Sequence, residues 1–212
     1  MAIYLDTAII AEATEASKFG WIAGITTNPT LLAKSELSPQ ETLKQLVKLT
    51  PGEVYYQLMA SDFDGMVAEG KAAFESIGRQ AVLKVPATAA GFQAVAHLSP
   101  EIPCAVTAIY SASQAVVAAE AGAKYAIAYV NRATRLLGDG FALVRDMANV
   151  LQSANTEILA ASIKSPEEAV KTLLAGAHHL TLPFEVLQAM AVHELSQQTV
   201  DEFAKNGRGI SY

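Results

Sequence analysis

Residues Ala81-Val82-Leu83-Lys84-Val85-Pro86-Ala87-Thr88 read as a short β-strand, dense in apolar and branched side chains and stopped by Pro86. A cation in the middle of such a strand is out of place. An unpaired ammonium in an apolar interior costs several kcal/mol or gives up its proton. Side chains alternate faces along a strand, so Lys84 shares a face with Val82, while Leu83 and Val85 point the other way.

Working outward, the pattern repeats. Apolar runs of strand length fall at residues 3–6, 22–26, 54–59, 81–86, 104–109, 125–129, 157–162 and 179–182, with longer amphipathic stretches between them. Several of those stretches open with helix-start signals. Ser38-Pro39-Gln40-Glu41 and Ser165-Pro166-Glu167-Glu168 each supply an N-cap serine, a proline at the first helical position and a glutamate at the third. Leu43, Leu46 and Val47 follow the first at helical spacing, and Val170, Leu173 and Leu174 follow the second. Gly122 and Gly176 stand where helices would end. About eight strand–helix units in 212 residues predict a single-domain α/β fold, a (β/α)8 TIM barrel at the small end of its range. The alternative is an open doubly wound sheet. It is disfavoured because no glycine-rich phosphate loop follows the first strand, where the chain reads Asp6-Thr7-Ala8-Ile9. No linker divides residues 1–212. After the eighth strand the chain continues through residues 184–190 and then 193–212, more than barrel closure requires. Residues 193–212 are expected to form an additional C-terminal helix and tail that pack on a neighbouring subunit.

Composition narrows the function classes. Fifteen Lys and Arg against 21 Asp and Glu give a net charge of −6, with no basic cluster, so nucleic acid is not an expected partner. Residues 102–119 carry no charge, nearly a membrane-span length, but Pro103, Thr107, Ser111, Ser113 and Gln114 interrupt them. A strand followed by a helix is expected there, and no membrane partner. The first residues, MAIYLDTAII, lack a basic segment and carry Asp6, unlike a signal peptide. The lone Cys104 excludes an internal disulfide and fits a reducing compartment. The expected location is cytoplasmic.

Most of the apolar runs carry one polar residue near the C-terminal end: Asp6, Asn28 (just past the second run), Gln57, Lys84, Thr107, Tyr129 and Ser162. Their spacing, 22 to 33 residues, is about one strand–helix unit. In a closed barrel these ends converge on one rim, where barrel enzymes keep their sites. Each residue alone has an ordinary explanation. A strand-end lysine snorkels to solvent, Asn28 and Gln57 satisfy loop backbone groups, and Thr107 and Ser162 are common strand residues. Tyr129 fits a core with its hydroxyl paired. Seven in step define a candidate pocket. His97, His178, His179 and His193 lack a ligand spacing with carboxylates or Cys104, so no metal is expected. Neither a G-x-S-x-G elbow nor a Cys/His arrangement lies near a strand end, which argues against nucleophilic hydrolysis.

A buried lysine without a metal suits Schiff-base chemistry, in which a neutral amine adds to a ketone and the imine becomes an electron sink. At an ordinary pKa of about 10.4, only about one lysine in a thousand is neutral near pH 7.4. Desolvation disfavours the charged form and lowers that pKa. Thr107, Gln57 and Tyr129 around the amine would hold a water for proton transfer without neutralising it.

The landmarks Tyr4-Leu5-Asp6-Thr7, Gly24-Ile25-Thr26-Thr27-Asn28-Pro29, Gln57-Leu58-Met59-Ala60, Lys84-Val85-Pro86, Thr107-Ala108-Ile109-Tyr110, Tyr129-Val130-Asn131-Arg132, Ala160-Ala161-Ser162 and Thr181-Leu182-Pro183 run in order to Gly207-Arg208. Over essentially the whole chain this resembles the small transaldolase family of class I aldolases. The resemblance implies a (β/α)8 barrel, a Schiff-base lysine on the fourth strand at Lys84, and no cofactor. It also implies sugar and sugar-phosphate substrates and a homo-oligomer, a decamer of two pentamers. By the same resemblance Asp6 would handle the donor hydroxyls and proton transfer, Asn28 would hydrogen-bond the dihydroxyacetone unit and Ser162 would line its pocket. Arg132 would bind the aldehyde's phosphate, as suits a planar guanidinium. Family members divide by reaction. Transaldolases typically carry Glu and Phe where this chain has Gln57 and Tyr129, which match the aldolases. Ala105 and Ile127 stand where the larger transaldolases tend to be polar. The expected activity is reversible cleavage of fructose 6-phosphate to dihydroxyacetone and glyceraldehyde 3-phosphate. The alternatives are a transaldolase and a silent sugar-phosphate-binding barrel in which Lys84 pairs with an anion.

Overall fold

The computed structural model describes residues 1–210, so the last two residues of the expected tail lie outside the described residues. Eight strands close in sequence order into a parallel barrel: β1 (Ala2–Asp6), β2 (Gly24–Thr26), β3 (Glu53–Gln57), β4 (Ala81–Pro86), β5 (Cys104–Ile109), β6 (Tyr125–Tyr129), β7 (Glu157–Ala161) and β8 (His179–Leu182). β8 pairs back onto β1, which excludes the open sheet. Helices wrap the outside: α1 (Ile10–Ser17), α2 (Pro29–Leu32), α3 (Pro39–Leu49), α4 (Phe63–Ile77), α5 (Ala89–Leu98), α6 (Ala112–Glu120), α7 (Val130–Leu137), α8 (Gly140–Val150), α9 (Pro166–Leu174), α10 (Phe184–Met190) and α11 (Glu194–Asn206). The uncharged stretch 102–119 becomes β5 and most of α6. Among the described residues, no helix is long and apolar enough to cross a membrane.

The local signals act as expected. Ser38 and Ser165 cap α3 and α9 by accepting from the Glu41 and Glu168 N–H groups, a contact worth about 1 kcal/mol. Gly122 and Gly176 follow α6 and α9 at φ of +83° and +109°, where a side chain would be strained.

Alternation along the strands builds two cores. Leu83 and Val85 face outward with Val106, Ile158 and Leu180, under the helices. Val82 faces inward with Tyr4, Tyr55, Ala105, Ile127 and Leu159. Each fully buried aliphatic side chain contributes about 1.5–3 kcal/mol. The N-terminal end of the barrel is closed by polar side chains that satisfy one another. The hydroxyls of Tyr4, Tyr55 and Tyr125 donate to Glu53 Oε2 at 2.8, 2.9 and 3.1 Å, and Lys124 Nζ donates to Oε1 at 2.7 Å. Burial works against the Glu53 charge, but hydrogen bonds from Lys124, Tyr4 and Tyr55 outweigh it and hold its carboxyl below the ordinary range.

Two residues break the alternation, and both lie at the opposite end. Among the described residues, Ala108 (φ +60°) and Ser162 (φ +59°) are the non-glycine residues in the left-handed region, where such residues cost about 1–3 kcal/mol. At Ala108 the β5–β6 register shifts between Val106 and Ile109. Thr107 therefore points inward with Ala105, while Ile109 turns outward into the helix-covered core. A regular strand would have aimed Ile109 into the barrel mouth.

Candidate active site

The C-terminal ends of the strands open into a cleft of about 530 Å³ lined by Asp6, Asn28, Gln57, Lys84, Tyr129, Arg132 and Ser162. Seven of the eight residues singled out from the sequence thus line one cavity. Thr107, the eighth, is fully buried behind Tyr129 and reaches the site through a 2.8 Å hydroxyl–hydroxyl contact with it.

Lys84 stands on β4 with its inward neighbour Val82 beneath it and is 2% exposed. Its Nζ donates to the Thr27 carbonyl at 2.8 Å. Burial pushes its pKa down, and the nearby Asp6 charge opposes that push. A backbone carbonyl offers the amine a partner without offering a counter-charge.

Asp6 ends β1. Thr26 Oγ1 donates to Asp6 Oδ1 at 2.8 Å and lies 2.6 Å from Thr181 Oγ1. A hydroxyl has one proton to give, so Thr181 is the donor in the second contact. The chain Thr181–Thr26–Asp6 fixes the carboxylate across three strands. Gln57 ends β3, and its Oε1 is buried without a hydrogen-bond partner among the described residues. It is available to accept from a substrate hydroxyl or a water. Tyr129 ends β6. Its hydroxyl lies 2.8 Å from Thr107 Oγ1 and either group can donate; when Thr107 donates, the phenolic proton points into the cleft. Burial raises the phenol's pKa, and the Thr107 hydrogen bond and the Arg132 charge work against that rise.

Asn28 follows β2 and caps α2, its Oδ1 accepting from the Leu31 N–H at 3.0 Å. The amide nitrogen remains for the cleft. The strand expected over 157–162 ends at Ala161, and Ser162 lies past it in the left-handed conformation. That turn brings Ala161 and Ser162, neighbours that a strand would send to opposite faces, to the same cavity. Arg132 sits in the first turn of α7, its guanidinium carbon 5.0 Å from the Tyr129 ring centre, a cation–π distance.

Sequence reasoning missed the supports. Thr26 and Thr181 face inward like the residues it found, but threonines in strands carry no signal of their own. Glu69 on α4 accepts from the Met59 and Ala60 N–H groups at 2.9 and 2.8 Å, fixing the loop after Gln57. Glu168 on α9 accepts from Asn131 Nδ2 at 3.1 Å and Lys164 N at 2.6 Å, tying the first turn of α7 to the loop after β7. Lys34, Lys164, Glu12 and Glu185 also line the cleft. No group of three or more His, Cys, Asp or Glu side chains that could hold a metal ion occurs among the described residues.

Solved structures share the architecture. A mandelate oxidase superposes with a TM-score of 0.62 at 17% identity, over 96% of this chain and 72% of that one, a likeness of fold alone. Relatives by sequence are closer. A probable transaldolase of Hydrogenobaculum sp. is 38% identical over 97% of this chain and 96% of its own length. A probable transaldolase of Nitrosopumilus maritimus is 36% identical over 97% and 94%, and one of Aquifex aeolicus is 34% identical over 97% and 96%. The family model described as transaldolase/fructose-6-phosphate aldolase matches residues 3–209. The chain belongs to the transaldolase/fructose-6-phosphate aldolase family.

Proposed function

We propose that the protein is a metal-independent class I aldolase that reversibly cleaves fructose 6-phosphate to dihydroxyacetone and glyceraldehyde 3-phosphate. The observation that carries this reading is the Tyr129 hydroxyl, held at 2.8 Å by Thr107, and the neutral amide oxygen of Gln57, unpartnered among the described residues, beside the buried amine of Lys84. In this reading Lys84 forms the imine, Asp6 handles the donor hydroxyls and takes the hydroxyl proton as the carbon–carbon bond breaks, and Tyr129 protonates the enamine carbon. Thr107, Gln57 and Tyr129 hold and polarise the water that releases the product. Asn28 and Ser162 receive the dihydroxyacetone unit. The second reading, transfer of that unit between sugar phosphates, is favoured by the names of the relatives, which are probable transaldolases. Side-by-side assays of cleavage and of transfer from fructose 6-phosphate decide between them; rapid transfer without free dihydroxyacetone would overturn the aldolase reading.

In this reading Arg132 meets the aldehyde's phosphate; its exposure at the cleft and its lack of an ion pair among the described residues support that role. A charge-assisted phosphate contact is worth about 1.5–3 kcal/mol. Arg132→Ala should therefore raise KM for glyceraldehyde 3-phosphate by about ten- to a hundredfold. KM for an unphosphorylated aldehyde should barely change. An equal rise for both acceptors would make Arg132 structural.

The reading extends to assembly. α11 has no buried residue, and Leu195, Val200 and Phe203 are 63%, 57% and 70% exposed. A stripe of this kind on a solvated helix suits burial against a second copy of the chain. Light scattering at micromolar concentration should report a homo-oligomer, with a decamer of two pentamers as the expected mass; a monomer would refute the assembly.

A further inference from the structure

Arg132 has a second neighbour besides the open cleft. Its guanidinium carbon lies 5.0 Å from the centre of the Tyr129 ring, and Thr107 fixes the phenol oxygen at 2.8 Å. The other ionisable groups that line the cleft with Tyr129 are Asp6, Glu12, Lys34, Lys84, Lys164 and Glu185, and the Tyr110 ring lies edge-on with ring centres 6.4 Å apart. Among these Arg132 is the cation stacked on the ring. Burial holds the phenol's proton on most strongly; the Thr107 hydrogen bond and the Arg132 charge loosen it, and Asp6 tightens it. In a partly dry cleft such charges act more strongly than in water.

We infer that Arg132 couples phosphate binding to proton delivery: an anion on the guanidinium cancels the charge beside Tyr129 and slows protonation of the enamine. The inference rests on the reading of Tyr129 as the proton donor. In that step the enamine C=C electron pair takes the phenol's proton to form a C–H bond, and the nitrogen lone pair restores C=N. The phenolate then recovers a proton from water. With the guanidinium free, the phenol is the stronger acid and the enamine is quenched quickly. A phosphorylated aldehyde brings its own anion to Arg132, so quenching slows when a partner for carbon–carbon bond formation is in place. The residue that holds the acceptor thereby also protects the intermediate from water-derived protons.

The test is deuterium uptake into hydroxyacetone, a ketone without phosphate, by the whole protein in D2O, with inorganic phosphate as the probe. Phosphate should slow uptake several-fold while leaving the rate of borohydride trapping unchanged. Arg132→Gln should take up deuterium slowly with or without phosphate. Arg132→Lys, which keeps the charge, should recover most of the rate and of the phosphate response. Unmodified-like uptake by Arg132→Gln, or no response to phosphate, overturns the coupling while slow uptake by Tyr129→Phe upholds the donor assignment. Fast uptake by Tyr129→Phe overturns both. Slower trapping in phosphate places the effect on donor entry and also overturns the coupling.

Discussion

Lys84→Met should abolish both turnover and the borohydride-stable adduct that the unmodified protein forms with dihydroxyacetone. No other side chain can take over. Lys84 is the lysine on the barrel's inner face, 2% exposed, with its amine on the Thr27 carbonyl. Lys34 and Lys164 also line the cleft but are exposed. Burial lowers the Lys84 pKa and so raises the neutral fraction that can attack a ketone. The same burial has a thermodynamic signature. The folded state holds this proton less tightly than the unfolded chain does, so the unfolded chain binds more protons below its pKa of about 10.4. Stability of the unmodified protein, measured against Lys84→Met, should therefore fall as pH drops from about 10.4 toward the lowered folded-state pKa. Peptide mapping of the reduced adduct identifies the nucleophile, and label on Lys34 or Lys164 would remove Lys84 from that role.

Tyr129→Phe should depress fructose 6-phosphate cleavage by about one to two orders of magnitude, the scale of a general acid–base contribution. Aldolase and transaldolase turnover share the enamine formed when the carbon–carbon bond of the Lys84 imine breaks. They part at its fate. Release of dihydroxyacetone needs protonation of the enamine and hydrolysis of the imine, so a proton must be delivered and a water held. A phenol with its oxygen fixed by Thr107 delivers that proton, and a phenyl ring cannot. When protonation is slow the enamine survives until an aldehyde captures it. Transfer to erythrose 4-phosphate should be spared or rise in Tyr129→Phe, and Gln57→Glu added to it should push further the same way. Parallel loss of both reactions would show that Tyr129 supports the pocket instead of moving a proton.

The barrel was legible because its strands are short, apolar and evenly spaced. The predicted runs 81–86, 104–109, 125–129 and 179–182 coincide with β4, β5, β6 and β8. Others shifted at their ends. The run 22–26 shrank to Gly24–Thr26, where residue pairing with β1 starts at Gly24, although the Ala23 N–H already donates to the Ile3 carbonyl at 2.8 Å. Much of the lining of the candidate cleft was legible too, since a polar residue at an inward position near a strand's C-terminal end is conspicuous. What the sequence hid is backbone conformation. Alternation would place Ser162 on the face opposite Ala161 and point Ile109 at the cleft; left-handed turns at Ser162 and Ala108 reverse both outcomes. Neither residue type favours that conformation, so no local signal betrays it. The supports Glu69 and Glu168 were hidden for another reason. Glu69 is one more acidic residue on an amphipathic helix, Glu168 reads as a helix-start residue, and their partners at Met59, Ala60 and Asn131 come near only in the closed barrel.

The tyrosine layer over Glu53 makes the barrel a well with a floor. Tyr4, Tyr55 and Tyr125 are at most 4% exposed, and Val82, Ile127 and Leu159 seal the space above them. On the proposed reaction, sugar, aldehyde and water would therefore pass through the cleft at the opposite end, one after another. In that reaction the first aldehyde leaves through the cleft above the floor before a second aldehyde or a water takes its place. One-way access of this kind imposes an order on events that the residues around Lys84 could not impose by their chemistry alone.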